Sequence, residues 1–225
     1  MEYALYLLAL TSVVITLFAN IYITIVYNRY KQEVNKIGLT GKEVARIILD
    51  KNNLKDVKIN KVKGSLTDHY NPSTKQVNLS NDVYELSSIS AVAVASHECG
   101  HALQDKDNYS FMIIRSKLVP FVRFSSKFGY LAILIGAIFS LLKLIYIGII
   151  LEVVILVFQL VTLPVEFDAS KRALNELKNL NLIEEDEKQD AKKVLKAAAF
   201  TYVASVLTTM IEILRLLLIF TKRDD

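Results

Sequence analysis

The residues with the clearest chemical meaning are His97-Glu98-Cys99-Gly100-His101, which form an HExxH pattern. Positions i and i+4 share one face of a helix, so both imidazoles can reach one Zn²⁺ at about 2.0–2.1 Å. Glu98 stands beside the first histidine and can take a proton from a zinc-bound water, whose pKa the metal lowers to about 7. The pattern therefore predicts one Zn²⁺ per chain, with Glu98 as the general base. A chance pairing of surface histidines is the alternative, and Co²⁺ or Mn²⁺ would also fit these donors.

A catalytic zinc site also needs a third protein ligand and one open position. No third histidine follows His101, which excludes the metzincin pattern and leaves the carboxylates of a later helix as candidates. Glu166 is the best placed of these, within Pro164-Val165-Glu166-Phe167-Asp168-Ala169-Ser170. Because Pro164 favours a helix start, we expect Glu166 in the first turn of a helix that leaves the membrane. The alternative is a carboxylate that only stabilises the N-terminus of that helix through its dipole.

Three weaker candidates complete the predicted site. His69 or Tyr70 could donate a hydrogen bond to the oxyanion opposite the zinc, if an extended substrate binds along a nearby sheet edge by strand addition. A turn histidine bonded to the local backbone is an equal alternative for His69. Arg172, six residues after Glu166, could reach the same site.

The elements that must position these residues lie between residues 37 and 127. Thr40-Gly41-Lys42-Glu43 is a capping box that opens a helix over 43–51. Cys99 stands about 200° around its helix from His97 and should point away from the metal, while Gly100 should allow either close helix packing or the approach of a substrate. The remaining predicted elements are strands over 57–62 and 76–79, a turn at Asn71-Pro72-Ser73, the HExxH helix over 87–104 and a basic helix over 109–127. This is a small α+β unit.

The composition shows that this unit is attached to membrane segments. Residues 3–28 carry no Asp, Glu, Lys or Arg, residues 128–165 carry two (Lys143 and Glu152), and residues 194–220 carry three (Lys196, Glu212 and Arg215). Each block is long enough to cross a hydrocarbon core that needs about 20 residues. This distribution excludes a plain soluble globule and a disordered chain, and the single cysteine excludes a disulfide scaffold.

Charges next to the apolar blocks predict the orientation of the chain. Only Glu2 precedes the first block, whereas Arg29, Lys31 and Lys36 follow it, which places the N-terminus outside and residue 30 in the cytoplasm. The second block is basic at both ends, so it should be a helical hairpin with its outer turn near Lys143. Because the basic residues cluster at block edges, we expect a lipid bilayer as the partner and no nucleic acid. No oligomeric state is predicted.

The predicted fold class is an α-helical multi-pass membrane protein with a small α+β metallopeptidase domain in the cytoplasm. The last block either spans the membrane or lies partly at its interface. The predicted organisation is a transmembrane anchor over 3–28, a cytoplasmic domain with the HExxH pattern over 29–127, a transmembrane hairpin over 128–165, cytoplasmic helices with the third zinc ligand over 166–193, and a transmembrane or interfacial helix over 194–220.

Two polar stripes interrupt the apolar blocks at helical spacing. Charges in hydrocarbon cost several kcal/mol, so these side chains should face each other inside the helix bundle rather than lipid. One stripe is Glu152, Gln159 and Glu166, and the other is Thr201, Ser205, Thr208, Glu212 and Arg215.

Several stretches together resemble a known family almost end to end. They are Gly38-Leu39-Thr40-Gly41 with Glu43-Val44-Ala45-Arg46, Leu66-Thr67-Asp68-His69-Tyr70, residues 96–101, Arg115-Ser116-Lys117-Leu118-Val119-Pro120 and residues 163–170. The chain resembles the bacterial membrane zinc metallopeptidases of the YugP type.

The resemblance implies a gluzincin-like, multi-pass peptidase, distantly similar to the heat-shock membrane protease and CAAX prenyl protease group. It assigns the zinc ligands to His97, His101 and Glu166. Such relatives commonly place an Asp four residues after the ligating Glu to support a histidine ligand. Here that position is Ser170, so Asp168 or Ser170 is the candidate for this role.

We therefore expect a membrane-bound zinc endopeptidase that cleaves peptides or membrane proteins, with its active site facing the cytoplasm. One alternative is a non-catalytic scaffold or adaptor with a structural zinc, whose fourth ligand would be Asp68, His69 or Asp168. Intramembrane proteolysis is a weaker alternative, because Gln104-Asp105-Lys106-Asp107 follows the motif and the apolar run before it is too short to cross.

Overall fold

The computed structural model describes residues 2–221, with side chains from 3 to 220. Within this range the chain forms seven helices and three short strands. The helices are α1 (Glu2–Lys31), α2 (Gly41–Lys51), α3 (Asn81–Glu85), α4 (Ile89–Lys106), α5 (Ser110–Ile138), α6 (Leu142–Asn179) and α7 (Lys188–Thr221). The strands are β1 (Lys58–Val62), β2 (His69–Asn71) and β3 (Gln76–Ser80).

The chain divides into two compact units. The first, called here the membrane unit, comprises the stretch up to Asn20, Ile113–Pro164 and the stretch from Phe200 onwards. The second, called here the sheet unit, comprises Ile21–Met112 and Val165–Ala199.

Four helices within residues 2–221 are long and apolar enough to cross a membrane, as the sequence predicted. They are Tyr3–Lys31, Ser110–Ile138, Leu142–Asn179 and Lys188–Phe220. Their outer faces expose large apolar side chains such as Leu17 and Phe18. Helices that expose this much apolar surface are stable in contact with lipid rather than with water.

In the membrane unit, α5 and α6 form a helical hairpin. The turn lies at Phe139–Leu141, where the Leu141 N–H donates to the Gly136 carbonyl at 2.8 Å, and Lys143 follows directly in the first turn of α6. The interior is built from branched and aromatic side chains of α5, α6 and α7. They are Ile133, Ile145, Ile149, Ile213, Leu216 and Phe220.

The structure brings together only some of the side chains in the two predicted polar stripes. Glu152 lines one cavity of the membrane unit together with Glu212 and Arg215, and these last two form an ion pair at 2.6 Å. Ser205, in contrast, is exposed and donates to a carbonyl of its own helix. Glu166, the last member of the first stripe, belongs to the sheet unit.

The sheet unit has a three-stranded mixed sheet with β3 at its centre. β1 runs parallel to β3, and β2 runs antiparallel to it with His69 paired to Asn78. The capping box of α2 forms as predicted, because Thr40 accepts from the Glu43 N–H while the Glu43 carboxylate accepts from the Thr40 N–H. The strands and helices α2, α3 and α4 share one apolar core with the parts of α6 and α7 in this unit.

Among the predicted helix boundaries that differ from the structure, two concern the helices that carry the candidate site. The HExxH helix extends over Ile89–Lys106 rather than 87–104, because Ser88 is its N-cap and accepts from the Ala91 N–H. The expected helix start at Pro164 is wrong, since α6 is continuous from Leu142 to Asn179 with Pro164 inside it. Proline lacks the N–H that an interior turn needs, but spanning helices tolerate this because neighbouring groups satisfy the freed carbonyl.

Candidate metal centre

Helix α4 presents the two motif histidines on one face. Their rings lie 4.8 Å apart between centroids, at an interplanar angle of 81°. The opposite face of α4 carries Cys99, which is fully buried with its thiol 3.6 Å from the Ala45 carbonyl oxygen. The burial confirms that Cys99 points into the core and away from the histidines.

Helix α6 brings Glu166 to the same place. Its Oε2 lies 3.2 Å from His97 Nε2 and 3.6 Å from His101 Nε2, and the carboxylate is nearly fully buried, with 2% of the residue exposed. In the described part of the chain, these three residues form the group whose ligand atoms all lie within 4.8 Å of one another.

The donor set fits Zn²⁺ in chemistry and in spacing. Two imidazoles and one carboxylate are ligands that zinc commonly takes in catalytic sites. Four ligands about 2.1 Å from a tetrahedral ion are separated from one another by about 3.4 Å. The two distances from the Glu166 oxygen, 3.2 and 3.6 Å, lie on either side of that value. The two carboxylate-to-imidazole distances are therefore those expected between ligands of one ion.

A glycine allows the two ligand helices to approach this closely. A Cβ atom added at Gly100 would lie 2.4 Å from the Ala169 carbonyl oxygen and 3.0 Å from its carbonyl carbon. These are main-chain atoms of α6, so no side-chain movement could relieve the clash. The absence of a side chain at Gly100 thus brings α6 within reach of the histidines, as the sequence predicted.

The ring nitrogens that face away from Glu166 also have partners. His97 Nδ1 lies 3.2 Å from the Ser170 hydroxyl, and His101 Nδ1 lies 3.0 Å from Gln104 Oε1. Such contacts hold a metal-binding imidazole in orientation. Ser170 was one of the two residues suggested for this role. Gln104 was not, although its place three residues after His101 puts it on the same helical face.

Asp168, the other suggested support, contacts neither histidine. Its carboxylate accepts from Gln104 Nε2 at 2.9 Å and from Arg172 Nε at 2.6 Å. Arg172 also bonds Asp107 at 2.5 Å, so its guanidinium is engaged by two carboxylates rather than by the metal cluster.

Glu98 has an environment that suits a group exchanging protons. It is buried, and no hydrogen bond restrains its carboxylate within the described part of the chain. Burial raises the pKa of this carboxyl above its usual value, and the negative charges of Glu166 and Asp68 add to the rise, while His97 and His101 oppose it.

The structure does not bring the remaining predicted residues to the metal cluster. The exposed His69 ring contacts the Thr67 carbonyl oxygen at 2.9 Å and the Asn78 amide at 3.2 Å, which is the local arrangement weighed as its alternative. Tyr70 donates to Asp105 at 2.6 Å. Asp68 accepts from the backbone and hydroxyl of Ser80. The oxyanion role of His69 stays a prediction.

Comparison with known proteins agrees with this metal chemistry. The model of the family described as "Putative neutral zinc metallopeptidase" matches residues 5–221. The chain belongs to this neutral zinc metallopeptidase family. It is also 45% identical, over 88% of each chain, to a Bacillus subtilis protein named "Putative membrane protease YugP". No solved structure matches the chain. Membership of the neutral zinc metallopeptidase family makes zinc the metal implied for the His97, His101 and Glu166 cluster.

Proposed function

We propose that this protein is a membrane-bound zinc endopeptidase with a gluzincin-like catalytic domain. His97, His101 and Glu166 would hold one zinc ion, and Glu98 would act as the general base. The observation that carries the proposal is the convergence of two histidines and one buried carboxylate from separate helices. Three protein ligands leave one position open, which is the pattern of catalytic rather than structural zinc.

The chemistry assigned to the chain itself centres on Glu98. Zinc, when bound, supplies Lewis-acid polarisation of a peptide carbonyl and lowers the pKa of a water to about 7. The Glu98 carboxylate takes the proton of the attacking water and then delivers it to the nitrogen of the leaving amine. The lack of a restraining hydrogen bond leaves both carboxylate oxygens available for the transfer.

The alternative of a closed, structural zinc has less support. Its fourth ligand would have to be Asp68, His69 or Asp168. The Asp68 carboxylate is bonded to Ser80, and the Asp168 carboxylate is bonded to Gln104 and Arg172. Recruiting either of them would break two existing hydrogen bonds.

A matched pair of variants tests the catalytic role of Glu98. Glu98→Gln should abolish cleavage of unfolded membrane-protein substrates by the purified protein while its zinc content stays at that of wild type. Glu185→Gln makes the same chemical change on a side chain that is 81% exposed, and it should cleave normally. Cleavage by Glu98→Gln at the wild-type rate would refute the mechanism, and zinc in neither protein would refute the site.

We further propose that the catalytic site faces the cytoplasm. The predicted anchor over 3–28, hairpin over 128–165 and final span over 194–220 would leave residues 29–127 and 166–193 on that side. Support comes from the basic residues that flank the apolar blocks.

A cysteine introduced at an exposed position tests this orientation. Lys55 is exposed in the sheet unit, and the native Cys99 is buried and should remain unlabelled. A membrane-impermeant maleimide should label Lys55→Cys in inverted vesicles but not in intact cells. Labelling of intact cells would place the domain outside.

A further inference from the structure

We propose that Gln104 is a positioning residue that holds the His101 ring in the tautomer whose Nε2 can bind metal. The inference rests on the proposed zinc site and assigns a task to a residue outside the HExxH pattern. Gln104 is completely buried, on the same face of α4 as the histidines and against α6.

The orientation of the Gln104 amide is fixed by two acceptors on α6. Its Nε2 lies 2.7 Å from the Val165 carbonyl oxygen and 2.9 Å from an Asp168 carboxylate oxygen. A backbone carbonyl oxygen can only accept hydrogen bonds, so the NH₂ group must face Val165. The opposite end of the amide, Oε1, therefore faces His101 Nδ1 at 3.0 Å.

An amide oxygen cannot donate a hydrogen, so the hydrogen of this last contact must belong to His101 Nδ1. A neutral imidazole with its hydrogen on Nδ1 has its lone pair on Nε2. Nε2 is the nitrogen that faces Glu166. Gln104 thus selects the tautomer of His101 that can act as a ligand, and it does so without adding a charge to the site.

The Asp168 carboxylate that accepts from Gln104 is itself held in place by Arg172. Arg172 Nε donates to Asp168 at 2.6 Å, and its guanidinium remains charged at all ordinary pH values. Full burial of Gln104 leaves no room for solvent to substitute for either acceptor. The chain of contacts thus runs from a charged pair at the surface of α6 to the metal-facing nitrogen of His101.

Ser170 does not fix the tautomer of His97 in the same way. Its Nδ1 faces the Ser170 hydroxyl, which can either donate or accept and therefore follows the state of the ring. The two ligands should consequently respond differently when their supporting residues are removed. Loss of Gln104 should weaken the zinc site more than loss of Ser170.

The test measures zinc affinity by competition with a chelator, using the full-length protein in detergent. Gln104→Met keeps a side chain of similar length but removes the acceptor, and it should weaken zinc binding by about ten- to hundredfold. Ser170→Ala should weaken it less. Asn52→Ala is the control, because it removes a different hydrogen bond to α6, the one to Glu176, and should leave the affinity unchanged.

Nitrogen-15 NMR of histidine-labelled protein without zinc separates tautomer control from simple packing. The His101 ring should carry its hydrogen on Nδ1 in the wild type and in Asn52→Ala, and it should lose that preference in Gln104→Met. Wild-type zinc affinity in Gln104→Met, or the same His101 tautomer in Gln104→Met as in the wild type, would overturn the assignment. If the wild-type protein binds no zinc at all, the proposed function fails with it.

Discussion

The close contact between α4 and α6 makes Gly100→Ala a quantitative test of how the metal site is assembled. The new Cβ would lie 2.4 Å from the Ala169 carbonyl oxygen, whereas ordinary contacts begin near 3.4 Å. Because the contacted atoms belong to the main chain, α6 must retreat by about 1 Å, and Glu166 lies only one turn away on the same helix. Its 3.2 Å separation from His97 would grow accordingly.

The expected effect on the site is larger than the effect on stability. Overpacking costs about 1–3 kcal/mol, but alanine is favoured over glycine inside a helix by about 1 kcal/mol, so the net destabilisation should be about 0–2 kcal/mol. A misplacement of about 1 Å can cost 10²-fold in rate. We therefore expect Gly100→Ala to fold, to lose about 10²-fold in peptidase activity and to bind zinc at least about tenfold more weakly.

The assay combines chelator competition, peptide cleavage and thermal unfolding in detergent. Gly129→Ala is the matched control, because it is also a helical glycine but meets mainly side-chain atoms, Glu152 Oε1 at 3.2 Å and Leu151 Cβ at 3.3 Å, in the membrane unit. It should bind zinc like wild type. If Gly100→Ala also binds zinc and cleaves peptides like wild type, the spacing between α4 and α6 does not control the site.

Three other residues give measurable expectations. Glu166→Gln should lose zinc during dialysis, because a neutral amide replaces the only anionic donor of the cluster; full retention of zinc would argue against ligation. Thr40→Ala removes the capping box with Glu43 and should lower the free energy of unfolding by about 1 kcal/mol, measured in a denaturant titration, and an unchanged midpoint would contradict this. Cys99 should resist maleimide in the folded protein and react after denaturation, because burial excludes the reagent and raises the pKa of the thiol; rapid labelling of folded protein would contradict its place in the core.

Local helical geometry explains why part of the candidate site could be predicted from sequence. His97 and His101 are one helical turn apart, so their shared face requires only that residues 89–106 form a helix. The same reasoning placed Cys99 on the opposite face. Neither prediction needed knowledge of which element packs against α4.

Contacts between distant segments were harder to predict. Glu166 was selected through its place after an apolar block, but the helix that carries it does not begin at Pro164. Proline is compatible both with a first turn and with the interior of a spanning helix, so it could not decide between them. Likewise, Gln104 resembles an ordinary polar residue near a helix end. Its role can be recognised only once the structure shows Val165 and Asp168 beside it.

The smallest elements were missed for a related reason. Strand β2 has three residues, and a turn signal follows it directly. It is therefore too short for an alternating pattern of apolar and polar residues to be recognised. Its existence depends on pairing with β3, which covers five residues and was predicted with nearly its observed bounds. Helix α3, with five residues, is equally short.

The order in which the ligands occur along the chain has a consequence for biosynthesis. His97 and Glu166 are 69 residues apart, and α5, the hairpin turn and the first part of α6 lie between them. At about 5–20 residues per second, a ribosome needs roughly 3–14 s to make that interval. Throughout this delay the histidine pair exists without its carboxylate. With the proposed set of three ligands, tight zinc loading can therefore begin only after the helical hairpin has been synthesised.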